Sequence, residues 1–113
     1  MGDLNEILSS LTLELRRGTI VLSVLSQLNE PQYGYTLVKS MEEKGVSVDT
    51  NTLYPLLRRL EKQEILISEW ETDGNKPRKY YKRTELGDKV YEKLTMQWKE
   101  MTEIMNRLLE PKK

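Results

Sequence analysis

Two clusters of side chains in this 113-residue chain carry recognition chemistry. The first is Thr50-Asn51-Thr52-Leu53-Tyr54, followed by Arg58 and Arg59. An Asn carboxamide pairs with an adenine edge, a Thr methyl touches a thymine methyl, and a Tyr hydroxyl reaches phosphate or base. The second is the run GNKPRKYYKR at residues 74–83, which holds five cations and no carboxylate. Within it Lys76, Arg78 and Lys79 can neutralise phosphates or enter a narrow minor groove. Covalent and metal chemistry have far less to work with. The chain contains no Cys and no His, which removes disulfides, thiol and imidazole nucleophile pairs and the common transition-metal ligand sets. Carboxylates, Lys, Tyr and Ser remain, and nothing in their spacing assembles an acid–base site. Neither an enzyme nor a cofactor is expected.

Charge sharpens the point. With 18 basic and 18 acidic groups the chain has no overall attraction to polyanions, so any such affinity must come from where the charges sit. Residues 1–49 carry 4 basic and 7 acidic groups, residues 50–83 carry 8 and 5, and residues 84–113 carry 6 of each. The cations concentrate in the middle third. No apolar run approaches the roughly 20 residues of a membrane span, and Asp3 and Glu6 are unlike a secretory leader, so a cytoplasmic protein without membrane contact is expected.

The elements that must position these clusters follow from hydrophobic spacing. Leu4, Ile7, Leu8, Leu11 and Leu15 predict an N-terminal helix with one apolar stripe. Ile20, Val21, Leu22, Val24, Leu25 and Leu28 cover most of the circumference of a second helix, as in a helix surrounded by protein. The segment NEPQYG at 29–34 breaks it, and Leu37, Val38 and Met41 predict a short helix ended by Gly45. Asp49, Thr50, Asn51 and Thr52 offer alternative N-caps for the next helix, with Pro55 in its first turn. Leu53, Leu56, Leu57 and Leu60 form its buried stripe, leaving Asn51, Thr52, Tyr54, Arg58, Arg59 and Lys62 flanking or outward.

Residues 65–72 and 79–84, around the turn signal Asp73-Gly74, predict a two-stranded hairpin with a basic tip. Tyr80 and Tyr81 point to opposite faces of its second strand. A last helix of about 26 residues, roughly 39 Å long, starts at Thr84-Glu85 and ends at Pro111. Its heptads place Tyr91, Trp98 and Met105 at one seam position and Leu94, Met101 and Leu108 at the other, a seam suited to a second copy. Across a two-fold axis, Trp98 with Met101 and Met105 either fills a dimer core or lines a slot for a planar aromatic effector.

The expected fold is mainly α with a small β hairpin: a winged helix-turn-helix with N- and C-terminal dimerisation helices. Residues 1–84 form the winged helix-turn-helix domain including the N-terminal helix, and residues 85–113 form the C-terminal dimerisation helix. In such a fold Thr50, Asn51, Thr52 and Tyr54 meet the major groove, while Arg58, Arg59, Lys76, Arg78 and Lys79 contact phosphates. The bland alternatives are that Asp49, Thr50 and Asn51 only cap a helix and that Tyr54 only packs on the wing. A winged-helix protein–protein adaptor, with the hairpin and the helix that carries Leu53, Leu56, Leu57 and Leu60 on a protein partner, is the other functional reading.

The segment LRRGTIVLSVLSQLNEPQYGYTLVKSMEEKG, followed by NTLYPLLRRLEKQEIL and then PRKYYKRTELG, resembles the PadR family of bacterial transcriptional regulators. The resemblance runs over about residues 15–88 and is carried by Gly34-Tyr35, by Thr52-Leu53-Tyr54-Pro55 with Leu57, Arg59, Leu60 and Glu61, and by Arg78-Lys79-Tyr80-Tyr81 with Thr84 and Gly87. It implies a homodimeric winged-helix repressor of a palindromic double-stranded DNA operator, relieved by an effector. A single C-terminal helix is similar to the short branch of that family, some members of which sense planar drugs between subunits through a Trp on the last helix. Trp98 lies at the corresponding place.

Overall fold

Asp3 starts the first helix by accepting the Glu6 N–H on its carboxylate at 2.9 Å, and α1 runs over Leu4–Arg16. Gly18, at φ +90°, makes the left-handed turn that an L side chain resists and leads into α2, Thr19–Ser26. There follow β1 (Gln32–Tyr33), α3 (Gly34–Glu43), α4 (Thr50–Lys62), β2 (Leu66–Glu71), β3 (Arg78–Arg83) and α5 (Glu85–Leu109). This computed structural model describes residues 3–72, 74 and 76–111; Asp73 of the predicted turn lies outside the described residues.

The fold is mainly helical with a small antiparallel sheet. That sheet has three strands in the order β1-β3-β2, so the expected two-stranded hairpin gains a third member. Gln32 pairs with Tyr81 and Tyr33 with Tyr80, while the hairpin itself runs in register from Leu66 opposite Arg83 to Glu71 opposite Arg78. A two-residue strand leaves no alternation in the sequence. It forms because β3 has a free edge for the extended backbone after Pro31.

The core lies between α2, α3, α4 and the sheet, with Val24, Leu25, Leu37, Met41, Leu53, Leu57, Leu60 and Leu66 essentially sealed from solvent. All four leucines of the predicted α4 stripe are buried. In α2 only Val24 and Leu25 are fully buried, so this helix is not surrounded as expected; Ile20, Val21 and Leu22 are half-buried. Pro55 also differs from expectation. Because Asp49 is the N-cap, Pro55 becomes the sixth residue of α4, and the Asn51 carbonyl loses its helical donor.

Turns close the head tightly. After α3, Val46 N–H donates to Met41 O at 2.8 Å across the left-handed Gly45, and after α4, Ile65 N–H donates to Leu60 O at 2.9 Å across Glu64. Glu64 holds φ +62°, the only described non-glycine residue in that region. Gly87, in the first turn of α5, lies so close to this turn that a Cβ on it would stand 2.1 Å from the Ile65 carbonyl oxygen. Thr84 caps α5 through Gly87 N–H and ties it to the same turn by donating its hydroxyl to Glu64 O at 2.6 Å.

Two helices extend beyond the head. No residue of α1 is buried. In α5, Val90, Tyr91 and Leu94 pack on the core, and the residues beyond them project. The radius of gyration, 17.2 Å, accordingly exceeds the roughly 13 Å of a compact chain of this length.

Candidate nucleic-acid interface

Steps of about 100° per residue divide α4 into faces. With Leu53, Leu56, Leu57 and Leu60 turned inward, Asn51, Pro55, Arg58 and Lys62 fall on the outward pole. Tyr54 stands on the flank toward the sheet and Thr52 on the opposite flank. Asp49 fixes the end of the helix, its carboxylate accepting the Asn51 N–H at 2.9 Å. Thr50, Asn51, Thr52, Arg58 and Arg59 are all exposed. The Asn51 carbonyl freed by Pro55 adds a main-chain acceptor beside the Asn51 carboxamide.

Between the sheet-side flank of α4 and the wing formed by β2 and β3 runs an open groove of about 810 Å³. It brings together Tyr54 and Arg58 from α4, Arg78 and Lys79 from β3, and Tyr35 and Thr36 from the start of α3. Among the described residues no carboxylate lines it. Gly34 is what allows Tyr54 to lie there, because a Cβ at that position would come within 2.5 Å of the Tyr54 hydroxyl. Any side chain at 34 displaces the ring.

The five cations of the wing run divide by role. Arg83 belongs to the interior: its guanidinium donates to the Leu25 carbonyl, to Asn29 Oδ1 at 2.7 Å and to Asp88 Oδ1 at 2.9 Å, and stacks over the Tyr91 ring at 4.3 Å. It joins β3 to the end of α2 and to α5. Lys82 pairs with Glu69 at 3.6 Å and Lys79 with Glu61 at 3.8 Å. Arg78 lies 5.4 Å from the Tyr33 ring centre, and Lys76 stands exposed at the wing tip in a separate recess with Gly74, Glu71 and Arg78. The structure thus gathers Tyr54, Arg58, Arg78 and Lys79, and places Lys76, Arg59 and Thr52 outside that groove.

Two aromatic residues at the groove, Trp70 and Tyr33, were not singled out from sequence, and Tyr35 was named there only for the family resemblance. Trp70, 63% exposed, and Tyr33 and Tyr35 stand on its walls. The Leu66-Ser68-Trp70 alternation was the available signal, since it puts Trp70 on the face that turns toward α4. Tyr81 is buried in the core and Tyr80 lies on the outer sheet face, donating to Glu69 at 2.8 Å with its ring edge-on to Tyr33 at 6.1 Å. Tyr33 donates likewise to Glu71. These bonds push both tyrosine hydroxyls above their ordinary pKa, and the Tyr80 bond, helped by Lys82, holds Glu69 below the usual carboxylate value. The Tyr80–Glu69 contribution is therefore present at neutral pH, lost as pH falls through the lowered Glu69 pKa, and lost again as pH rises through the raised Tyr80 pKa.

The α5 seam splits in two. Tyr91 and Leu94 are engaged with the chain's own core, whereas Trp98, Met101, Met105 and Leu108 are exposed, Trp98 by 47%. Among the described residues no His, Cys, Asp or Glu cluster could hold a metal ion, and no helix is long and apolar enough to cross a membrane.

The sequence model of the transcriptional regulator PadR-like family matches residues 21–93, which include α4 and the whole wing. The chain belongs to this family. PadR-like proteins are DNA-binding transcription regulators and not enzymes. A solved PadR family transcriptional regulator from Eggerthella lenta is 52% identical, with a TM-score of 0.88 and 96% of each chain covered. A PadR-like transcription factor from Bacteroides fragilis is 34% identical at a TM-score of 0.73, covering 88% of this chain and 98% of that one. A transcriptional regulator of Mycobacterium tuberculosis is 31% identical over 75 residues, 66% of this chain and 70% of that protein. The PadR-like match takes in every residue of the groove, and stops short of α1 and of the exposed half of α5.

Proposed function

We propose that this PadR-like regulator is a cytoplasmic homodimeric repressor that binds a palindromic operator and leaves it when a small-molecule effector binds. Asn51, Thr52 and Tyr54, with Thr50 at the helix start, meet base edges in the major groove. Arg58, Arg59, Lys76, Arg78 and Lys79 hold phosphates. The observation that carries this reading is the convergence of Tyr54, Arg58, Arg78 and Lys79 on a groove that no described carboxylate lines, along the sheet-side flank of α4.

Residues 1–84 act as the DNA-binding head with its N-terminal helix, and residues 85–113 as the dimerisation helix. Two apolar faces support a second copy: the leucine stripe of α1 and the exposed half of the α5 seam, Trp98, Met101, Met105 and Leu108. A two-fold axis along that seam pairs the two Trp98 indoles, and the flexible Met101 and Met105 beside them suit a planar aromatic effector.

The test is an anisotropy titration against DNA from upstream of the protein's own gene, at two salt concentrations, with and without a panel of planar aromatic compounds. Sequence-specific affinity that falls steeply with salt is the expected result, because phosphate neutralisation releases counterions. Release by one of the compounds identifies the effector. A folded dimer without specific binding at low salt would contradict the reading and favour a protein-binding adaptor.

A further inference from the structure

On the flank of α4 away from the wing, the joint between α1 and α2 forms a second recess. Arg16 and Arg17 stand in its wall, with the hydroxyl-bearing Thr19, Ser47 and Thr52. Among the described residues no Asp or Glu lines it. Among the described residues, neither arginine has a carboxylate within ion-pair distance, whereas Lys79, Lys82 and Arg83 of the wing all do. These are free cations beside the recognition helix.

Their placement relative to α4 gives them a role. Thr52 lines this recess and Tyr54 lines the wing groove. Two residues apart, they lie about 160° from one another around the helix axis, with Asn51, Pro55 and Arg58 between them on the outward pole. A helix with its side chains is about 10–12 Å across, and the major groove of B-DNA is about 12 Å wide and bounded by one phosphate strand on each side. Seated in that groove, α4 turns one flank to each strand. The wing serves one strand; on the other flank the exposed Arg59 lies two turns further along α4, and the cations beside Thr52 at the start of the helix are Arg16 and Arg17.

We infer that Arg16 and Arg17 form a second phosphodiester-binding edge, which grips the DNA strand across the major groove from the wing. The inference rests on the reading of α4 as the recognition helix. It also gives α1 two roles, since the helix whose leucine stripe has no cover within the chain ends in the two arginines. Seating that helix against a second copy positions this edge as well.

The experiment is an anisotropy titration of the full chain on a mixed-sequence duplex between about 50 and 200 mM salt, with three paired variants. Arg16→Gln with Arg17→Gln is expected to bind about tenfold or more weakly and to flatten the salt slope by roughly 0.9 for each phosphate lost. Arg16→Lys with Arg17→Lys keeps the charge and is expected to keep the slope. Lys76→Ala with Arg78→Ala removes two of the three wing cations assigned to phosphates and flattens the slope independently. Ethylation interference on the wild-type complex is expected to mark phosphates on both edges of the major groove, with one edge silent in the Gln variant. A Gln variant with the wild-type slope, beside a wing variant that loses slope, overturns the inference and leaves the DNA-binding reading standing. Equal loss in the Lys and Gln variants also overturns it, since the arginines would then act by shape and not by charge. A wild-type protein without salt-dependent binding overturns both.

Discussion

The head and the projecting helices of this chain treat the same kinds of residue in opposite ways. In the head, leucines of α3, α4 and β2 close a core with almost no exposure, and one arginine of the wing run is drawn inside to hold three elements together. In α1 and the outer half of α5, leucines and methionines at equally regular spacing stand exposed, and among the described residues Arg16 and Arg17 have no ion-pair partner. Regular apolar spacing specifies a face to be covered, and does not specify by what. A core that is already complete leaves the remaining stripes for another molecule.

The contrast is tested first where its effect is greatest. Leu57→Ala, in the sealed core, is expected to lose about 3–4 kcal/mol in urea denaturation, with a midpoint shift that does not depend on protein concentration. In the projecting half of α5, Met101→Asp with Met105→Asp is expected to give folded monomers by sedimentation. Their operator affinity should drop about 100-fold through lost bivalency. Leu94 is unsuitable for that experiment because it packs on the head's own core.

The next pair separates the two roles of wing cations. Arg83→Ala is expected to lose about 2 kcal/mol of stability by stranding the Leu25 carbonyl and removing the stack on Tyr91, whereas Arg78→Ala leaves stability nearly unchanged and flattens the salt slope of DNA binding by about one ion. Gly34→Ala sharpens the contrast within the head: the far end of the Tyr54 ring can swing away from the new methyl, so operator affinity is expected to fall about tenfold, or about 1.4 kcal/mol, with a smaller loss of stability. The smallest effect is a gain. Glu64→Gly relieves a left-handed L residue at the end of α4 and is expected to raise stability by about 0.5–1 kcal/mol, read as a higher urea midpoint.

Much of the architecture was legible because it rests on periodicity. The α4 stripe, the long α5 helix, the short α3 ended by Gly45 and the two strands of the hairpin all follow from spacing that only one element type satisfies. What was not legible rests on tertiary position. Gln32-Tyr33 becomes a strand only because β3 offers it an edge, and Asp49 wins over Thr50, Asn51 and Thr52 as the cap of α4, which moves Pro55 a turn further in. Of the candidate groove, Tyr54, Arg58, Arg78 and Lys79 could be named from sequence. The diversion of Arg83 to the interior could not, because a cation in a basic run looks the same whether its partner is a phosphate or the end of α2. Trp70 was missed for a related reason: alternation gives its face, and only the folded wing shows that this face borders α4.

If the head contacts DNA and the projecting helices bring two heads to one operator, the number of chains on a duplex depends on the outer half of α5. Sedimentation of the wild-type chain and of the Met101→Asp, Met105→Asp variant with a single operator duplex measures that number. The expected result is two chains per duplex for the wild type and weak, single-chain occupancy for the variant. A variant that is monomeric in solution yet binds the operator as tightly as the wild type would contradict this division of labour.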